Sequence, residues 1–318
     1  MTNSSKKPQS RVQMLEISQD LAGQRLDNFL ITRLKGVPRS LVYRIVRKGE
    51  VRVNKGRIKP DYRLKAGDIV RVPPVRVSET EVTTPAKSLQ QRIQDSILYE
   101  DNALLVLNKP SGVAVHGGSG ISHGVIEALR AQRPEAHFLE LVHRLDRDTS
   151  GCLLIAKKRS ALRNLHEQLR NHQVTKIYQT LVKGNWGDRK RTIDAPLRKN
   201  TLKSGERMVK VDAEGKAAKS RFEPLQCRAQ ASLVKVDLET GRTHQIRVHA
   251  AHAGHPIAGD EKYGDDTFNK AMRKMGLKRL FLHASSLTFT LPATERRLTV
   301  EAPLDENLQR VLKKLDIT

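Results

Sequence analysis

Beyond residue 96 the apolar residues come in short runs, and that shortness limits the folds open to the chain. ILYEDNALLVLNKP, GCLLIAKK, TKIYQTLVKGNW, ASLVKVDLET, SLTFTLP and RLTVEAP each hold a strand-length run, with only a few helical stretches between them. One of these, SALRNLHEQLRNHQV, sets Leu162, Leu165 and Leu169 on one face. Strands and helices do not alternate as a parallel βαβ series would require. The pattern predicts an α+β domain over residues 97–318, built on a mainly antiparallel, mixed sheet, with no internal repeat.

A smaller α+β unit is predicted at 17–76. In RLDNFLITRL, Leu26, Phe29, Leu30 and Leu34 recur at helical spacing. A second helix has Ser40 as its cap, Leu41, Val42, Ile45 and Val46 on one face, and Gly49 to end it. EVRVNKGRI alternates around Asn54 to Gly56 as a hairpin does, and YRLKAGDIVRVP adds a turn at Ala66-Gly67-Asp68 and a last strand closed by Pro73 and Pro74. Residues 1–16 read as a disordered basic tail. Residues 77–96, rich in Ser, Thr, Pro and Gln, read as a linker.

Charge narrows the partners. Lys and Arg total 58 against 34 Asp and Glu, a formal +24, and a surplus of that size fits a polyanion. Nucleic acid is the first expectation and an acidic membrane surface the second. On the small unit Arg39, Arg44, Arg47, Lys48, Arg52, Lys55, Arg57 and Lys59 crowd one helix, its end and the next turn. That concentration suits a nucleic-acid backbone better than dispersed solvating charge. No apolar run reaches bilayer-spanning length, and MTNSSKKPQS lacks the apolar core of a signal peptide. Cys152 and Cys227 stand alone, without disulfide or zinc spacing. A reducing cytoplasm is expected.

The phrase HRLDRDTSG, residues 143–151, offers two carboxylates two residues apart between arginines. It reads as an ordinary Asp/Ser/Thr/Gly turn entering a strand, or as the seat of a reactive Asp146. Asp146 to Thr149 also fits the DxDxT pattern of magnesium-dependent phosphatases, with Asp265 and Asp266 as later acidic residues. Against that, His143 and Arg144 interrupt the approach and no parallel α/β series follows. His244, His249, His252 and His255 share a helical face only loosely, so no metal site is expected. HGGSGISHG, residues 116–124, fits neither phosphate-loop spacing.

Taken whole, HRLDRDTSG closely resembles the second motif of the RluA-type pseudouridine synthases. LNKPSGVAVHGG resembles their first motif, TKIYQTLVKG carries a tyrosine where they keep an active-site aromatic, and ETGRTHQIRVHAAHAGHPIAGDEKYG resembles their third. FLHA, residues 281–284, matches a later phrase. These matches span residues 97–305, and RLDNFL followed by GEVRVNKGR in front resembles an S4-like RNA-binding domain, with Lys55 inserted before the glycine.

The resemblance implies the pseudouridine synthase fold and isomerisation of uridine in ribosomal RNA of the large subunit, by a monomer without metal or organic cofactor. It assigns Asp146 as the catalytic carboxylate, acting as nucleophile, base or electrostatic partner of an oxocarbenium-like state. Arg247 would keep it ionised. Tyr178 would stack on the uracil and help deprotonate it, and Arg144 would fill the space left by an extruded nucleotide. Locally, Thr243 can cap a helix starting at His244, with Ile246, Ala250 and Ala253 anchoring it and Gly254 ending it. A non-catalytic RNA-binding assembly protein is the rival expectation outside the enzymes.

Overall fold

The computed structural model describes residues 11–34, 37, 39–75, 84–118, 122–201 and 207–317. Two compact units, Met1–Thr83 and Thr84–Thr318, divide the chain.

In the first unit, strand β1 (Gln13–Glu16) precedes helices α1 (Leu26–Arg33) and α2 (Arg39–Arg47), followed by strands β2 (Arg52–Val53) and β3 (Ile69–Val72). The sheet runs β1-β3-β2, all antiparallel. Leu26, Phe29 and Leu30 of α1 and Val42, Ile45 and Val46 of α2 are buried in one core with Val70 and Val72, so the helical spacing is realised as packing. Gly49, at φ +73°, ends α2 where the sequence places the stop.

Three local features differ from expectation. Helix α2 begins at Arg39, so Ser40 lies inside it rather than capping it. The chain pairs from Gln13 onward, opposite Val72, inside the span read as a tail; residues 1–10 lie outside the described residues. The hairpin at 54–56 is a tight turn, with Asn54 and Lys55 at φ +50° and +68°, but the strand facing β2 is β3. Asn54 explains that choice. Its amide donates to Asp68 Oδ1 at 2.8 Å and its carbonyl accepts from Ile69 N at 2.8 Å, tying the turn to the start of β3.

The second unit opens with helix α3 (Lys87–Gln94), inside the span read as linker. Leu89 and Ile93 stand four residues apart and pack into the main core, which makes this stretch structural. Then come β4 (Ile97–Glu100), β5 (Leu104–Lys109), α4 (Val125–Gln132), β6 (Glu140–Leu141), β7 (Ser150–Ala156), α5 (Arg159–Arg170), β8 (Thr175–Lys183), β9 (Arg191–Asp194), β10 (Leu197–Thr201) and β11 (Arg207–Val211). The chain continues through β12 (Lys219–Cys227), β13 (Ala231–Leu238), α6 (Gln245–His252), α7 (Asp266–Lys274), β14 (Leu282–Thr290), β15 (Arg297–Glu301) and α8 (Glu306–Lys314).

The large sheet runs β4-β5-β7-β14-β8-β13-β12-β9, with β15 on β14 and β6 on β7; β10 and β11 pair separately. Among the described residues only the β14–β7 pairing is parallel, so the α+β expectation of a mainly antiparallel mixed sheet holds. Among the described residues no helix is long and apolar enough to cross a membrane.

Strand β14 is the axis that positions the site. On one side Gly151 of β7 pairs with Ala284. On the other, the register with β8 slips between His283 and Ser286, so that Ala284 and Ser285 together face Tyr178. Gly151 sits at φ +109°, and a Cβ there would meet Ala284 O at 2.2 Å. The glycine that closes HRLDRDTSG is therefore fixed by close backbone approach to the FLHA segment.

Candidate active site

The turn carrying Asp146 is held almost wholly through backbone. Leu145 is buried beneath it, Thr149 N donates to Asp146 O at 3.2 Å, and Gly112 N donates to Arg147 O at 2.9 Å. Ser111 Oγ donates to Asp148 O at 2.7 Å. Lys109, fully buried, donates through Nζ to Pro110 O at 2.9 Å, Val113 O at 2.8 Å and Arg147 O at 3.0 Å. Three N–H groups meet three carbonyls, so the ammonium is fully satisfied. Burial, together with the charge of Arg279, pushes Lys109 down to about 7, with Asp148 and Asp146 opposing.

The rest of the phrase is scaffold. Leu154 N donates to His143 Nε2 at 3.2 Å, and burial pushes that imidazole down to about 4, which keeps it neutral as an acceptor. Ser150 Oγ lies 2.7 Å from His283 Nδ1 and accepts from Arg279 Nη2 at 2.6 Å. His283 Nε2 reaches Ala302 O at 2.9 Å. The start of β7 is thus locked to the segments flanking β14 and β15.

Asp146, its side chain about a third exposed (32%), faces a cavity of about 840 Å³ that is also lined by Arg144, Tyr178, His244 and Arg247. Arg144 is exposed and Leu145 buried, so Arg144 and Asp146 share the outer side of this extended stretch, as their spacing predicts. Tyr178 is buried on β8. Burial and the nearby Asp146 charge push its phenol well above the ordinary tyrosine value, so the hydroxyl keeps its proton. The four residues Asp146, Tyr178, Arg247 and Arg144 come together.

Arg247 is held differently from the sequence expectation. Its Nε and Nη2 form a fork on Asp260, at 2.7 and 2.8 Å, while Nη1 stands 3.9 Å from Asp146 Oδ2. Asp260 also accepts from Lys262 N at 2.9 Å and Tyr263 N at 3.0 Å, and the Tyr263 ring lies 5.0 Å below the guanidinium. Burial alone would lower the Arg247 value, but the Asp260 bonds and charge raise it above the ordinary arginine value. A buried ion pair therefore aims one free edge of a permanent cation at Asp146.

Helix α6 starts one residue later than expected. Thr243 does not cap it; His244 does so in the left-handed region, at φ +55°, without a side-chain cap bond. Gly254, at φ +82°, follows its end as expected. Gln245 supplies the order that a cap would: it accepts from Thr240 Oγ1 at 2.8 Å and Arg242 N at 3.0 Å and donates to Lys219 O at 3.0 Å.

His249 is buried against Ser220 Oγ and Ala195 O, and His255 Nδ1 meets Lys183 O. Those histidines are occupied by structural bonds. Among the described residues no group of three or more His, Cys, Asp or Glu is arranged to hold a metal. Asp265, the acidic residue a phosphatase would need, caps α7 through Phe268 N and pairs with Lys183 at 2.7 Å. Asp148 pairs with Arg147 at 3.2 Å.

Sequence reasoning missed Asp260 and Tyr263 altogether and weighed His244 only as a metal ligand. Nothing in the spacing of Asp260 from Arg247 marks a pair. The one available sign was an acidic residue between two glycines in AGDEKYG.

On the first unit Arg44, Arg47, Lys48, Arg52 and Lys55 are exposed, and among the described residues none is paired with a carboxylate. Arg52 also donates to Gly49 O at 3.2 Å and Lys55 O at 3.3 Å, and Arg47 to Tyr43 O at 3.3 Å. The Arg39 side chain lies outside the described residues.

Comparison with known proteins agrees with this geometry. Residues 103–252 match the family described as RNA pseudouridylate synthase, and residues 24–70 match the S4 domain. "Ribosomal large subunit pseudouridine synthase C" of Pasteurella multocida is 60% identical over 307 residues, covering 96% of this chain and 94% of that protein. The protein of the same description from Escherichia coli is 60% identical over 308 residues, covering 96% and 97%. Among solved structures, human RNA Pseudouridylate Synthase Domain Containing 4 superposes with a TM-score of 0.60 at 26% identity, covering 72% of this chain and 96% of that one. Identity of 60% over 96% of the chain takes in both units, and the chain belongs to the RNA pseudouridylate synthase family.

Proposed function

We propose that the chain isomerises uridines of large-subunit ribosomal RNA to pseudouridine, with Asp146 as the group that acts at the sugar. The observation that carries this reading is the Asp146 carboxylate, open to the cavity, with Arg247 on one oxygen and Tyr178 in the wall. The reaction breaks the bond between C1′ and N1, turns the uracil, and joins C1′ to C5. The proton on C5 leaves and N1 ends with one, so neither oxidant nor reductant is consumed. An anionic oxygen beside C1′ offsets the positive charge developing on the sugar or bonds to it. Arg247 presents a permanent positive charge beside that carboxylate. Tyr178 gives the base an aromatic face, and its protonated hydroxyl can donate to the base. Arg144, exposed at the rim, fits the space and phosphate left when the nucleotide swings out.

The test is tritium release from ribosomal RNA labelled at uracil C5, with a chelator present. Release in proportion to pseudouridine formed is expected. No release with any ribosomal RNA would return the chain to the RNA-binding, non-catalytic reading, and phosphate release needing magnesium would return it to the phosphatase reading.

The first unit is assigned affinity and site choice, through Arg39, Arg44, Arg47, Lys48, Arg52 and Lys55, with the protein acting as a monomer in the cytoplasm where its RNA is assembled. Replacing Arg44, Arg47 and Lys48 together by Gln is expected to lower the slope of log affinity against log salt by about 2 to 3, since each lost phosphate contact removes about 0.7–0.9. An unchanged slope in filter binding across a salt series would remove these residues from the interface.

A further inference from the structure

Asp146 has a second neighbour that the motif assignments leave idle. His244 Nε2 stands 3.9 Å from Asp146 Oδ2, the same oxygen and the same distance as Arg247 Nη1. On its other side His244 Nδ1 lies 2.8 Å from the Tyr263 hydroxyl. That hydroxyl already accepts from Val209 N at 3.0 Å, so its own proton is free to be donated to Nδ1. The imidazole then carries its hydrogen on Nε2, the nitrogen facing Asp146.

We propose that His244, oriented by Tyr263, is a positioning residue for Asp146: its Nε2 and the Arg247 guanidinium stand against Oδ2, leaving Oδ1 open to the ribose.

Three further observations support the assignment. The backbone of His244 is in the left-handed region at φ +55°, an uncommon setting for a residue with a side chain. Its neighbour Gln245 fixes the preceding turn through Thr240 and Arg242, so the setting is enforced from outside. Tyr263 touches both partners of Asp146, with its hydroxyl on His244 and its ring beneath Arg247. The groups facing His244 are Asp146, Arg247, Lys262, Asp260 and Tyr263. Burial lowers its value, Arg247 and Lys262 lower it further, and Asp146 and Asp260 oppose, so a neutral donor is the form present near neutral pH. Such a donor steadies the carboxylate without adding a second positive charge beside the developing one on the sugar.

This inference rests on Asp146 being the reacting group, so Asp146→Asn is assayed beside the test variants. His244→Phe keeps a planar ring and removes the donor. It is expected to lower kcat by about tenfold to a hundredfold, the weight of one donor to a charged group, with KM for RNA within about threefold. His244→Gln, which can present an amide N–H, should recover most of the rate. Tyr263→Phe keeps the ring under Arg247 but frees the tautomer, and should lower kcat too, by less.

Active Asp146→Asn would sink the underlying reading. Inactive Asp146→Asn with a normal kcat in both His244→Phe and Tyr263→Phe would sink the role of His244 alone. So would a lower kcat in His244→Phe that His244→Gln does not recover, which a merely structural role would give.

Discussion

Asp146→Asn is expected to make no measurable pseudouridine while binding RNA as the unaltered protein does. The substitution replaces one oxygen by NH2 at nearly constant shape, so the turn can persist. That turn is held by the Asp146 carbonyl, Leu145 and the Lys109 and Ser111 contacts to neighbouring carbonyls. Among the described residues the Asp146 carboxylate has no hydrogen bond within the fold, and its charged neighbours His244 and Arg247 stand 3.9 Å away. Its loss should therefore change stability by no more than about 0.5 kcal/mol, as for exposed positions without such ties. The chemical loss is of another order. A carboxamide carries no charge to offset a developing oxocarbenium ion and cannot form a glycosyl ester, so kcat should fall by about 10⁴-fold or more, as removal of a reacting group does elsewhere. Single-turnover tritium release and filter binding at fixed salt separate the two quantities. Turnover within about tenfold of the unaltered enzyme would refute the assignment, and a large loss of RNA affinity with residual turnover in proportion would make Asp146 a binding group instead.

The parts of this protein that could be read in its sequence are those governed by short-range rules. Strand-length runs, the α1 and α2 stripes, the stops at Gly49 and Gly254, and the matching of Arg144 and Asp146 to one side all follow from local periodicity and turn chemistry. The motif phrases named Tyr178, Asp146 and Arg247, which line one cavity although the last two are far apart in the chain. What escaped is whatever depends on two distant backbones meeting. Gly151 is fixed by Ala284, the strand partner of β2 is chosen by Asn54 and Asp68, and Lys109 is satisfied by carbonyls that carry no side-chain signature. His244 was invisible for a subtler reason. Its spacing to the other histidines invited only a metal reading, while its actual partners are a tyrosine and a carboxylate brought in from opposite directions.

Asp260 is the hidden residue whose loss should cost most. It is 2% exposed, and burial pushes its carboxyl up; the fork from Arg247, that residue's charge and the amides of Tyr263 and Lys262 outweigh burial and hold it below the ordinary aspartate value. Asp260→Ala strands a buried guanidinium and the partly buried N–H groups of Lys262 and Tyr263. A broken buried pair typically costs about 3–5 kcal/mol, so chemical unfolding should show a loss in that range, with activity lost as well because Arg247 is no longer held toward Asp146. The pH dependence has a definite sign. A carboxyl depressed on folding contributes stability that is present above its unfolded value and lost as pH falls through its folded one. The deficit of Asp260→Ala relative to the unaltered protein should therefore be full near neutrality and shrink on acidification below the ordinary aspartate range. Arg247→Met combined with Asp260→Val removes both charges, and apolar replacements of buried pairs are often tolerated. The pair should regain part of the lost stability, limited by the Lys262 and Tyr263 amides that still lack an acceptor, yet regain no activity. A double variant as unstable as Asp260→Ala would mean those two amides, not the stranded cation, set the cost; a double variant that turned over uridine would remove Arg247 from the reaction.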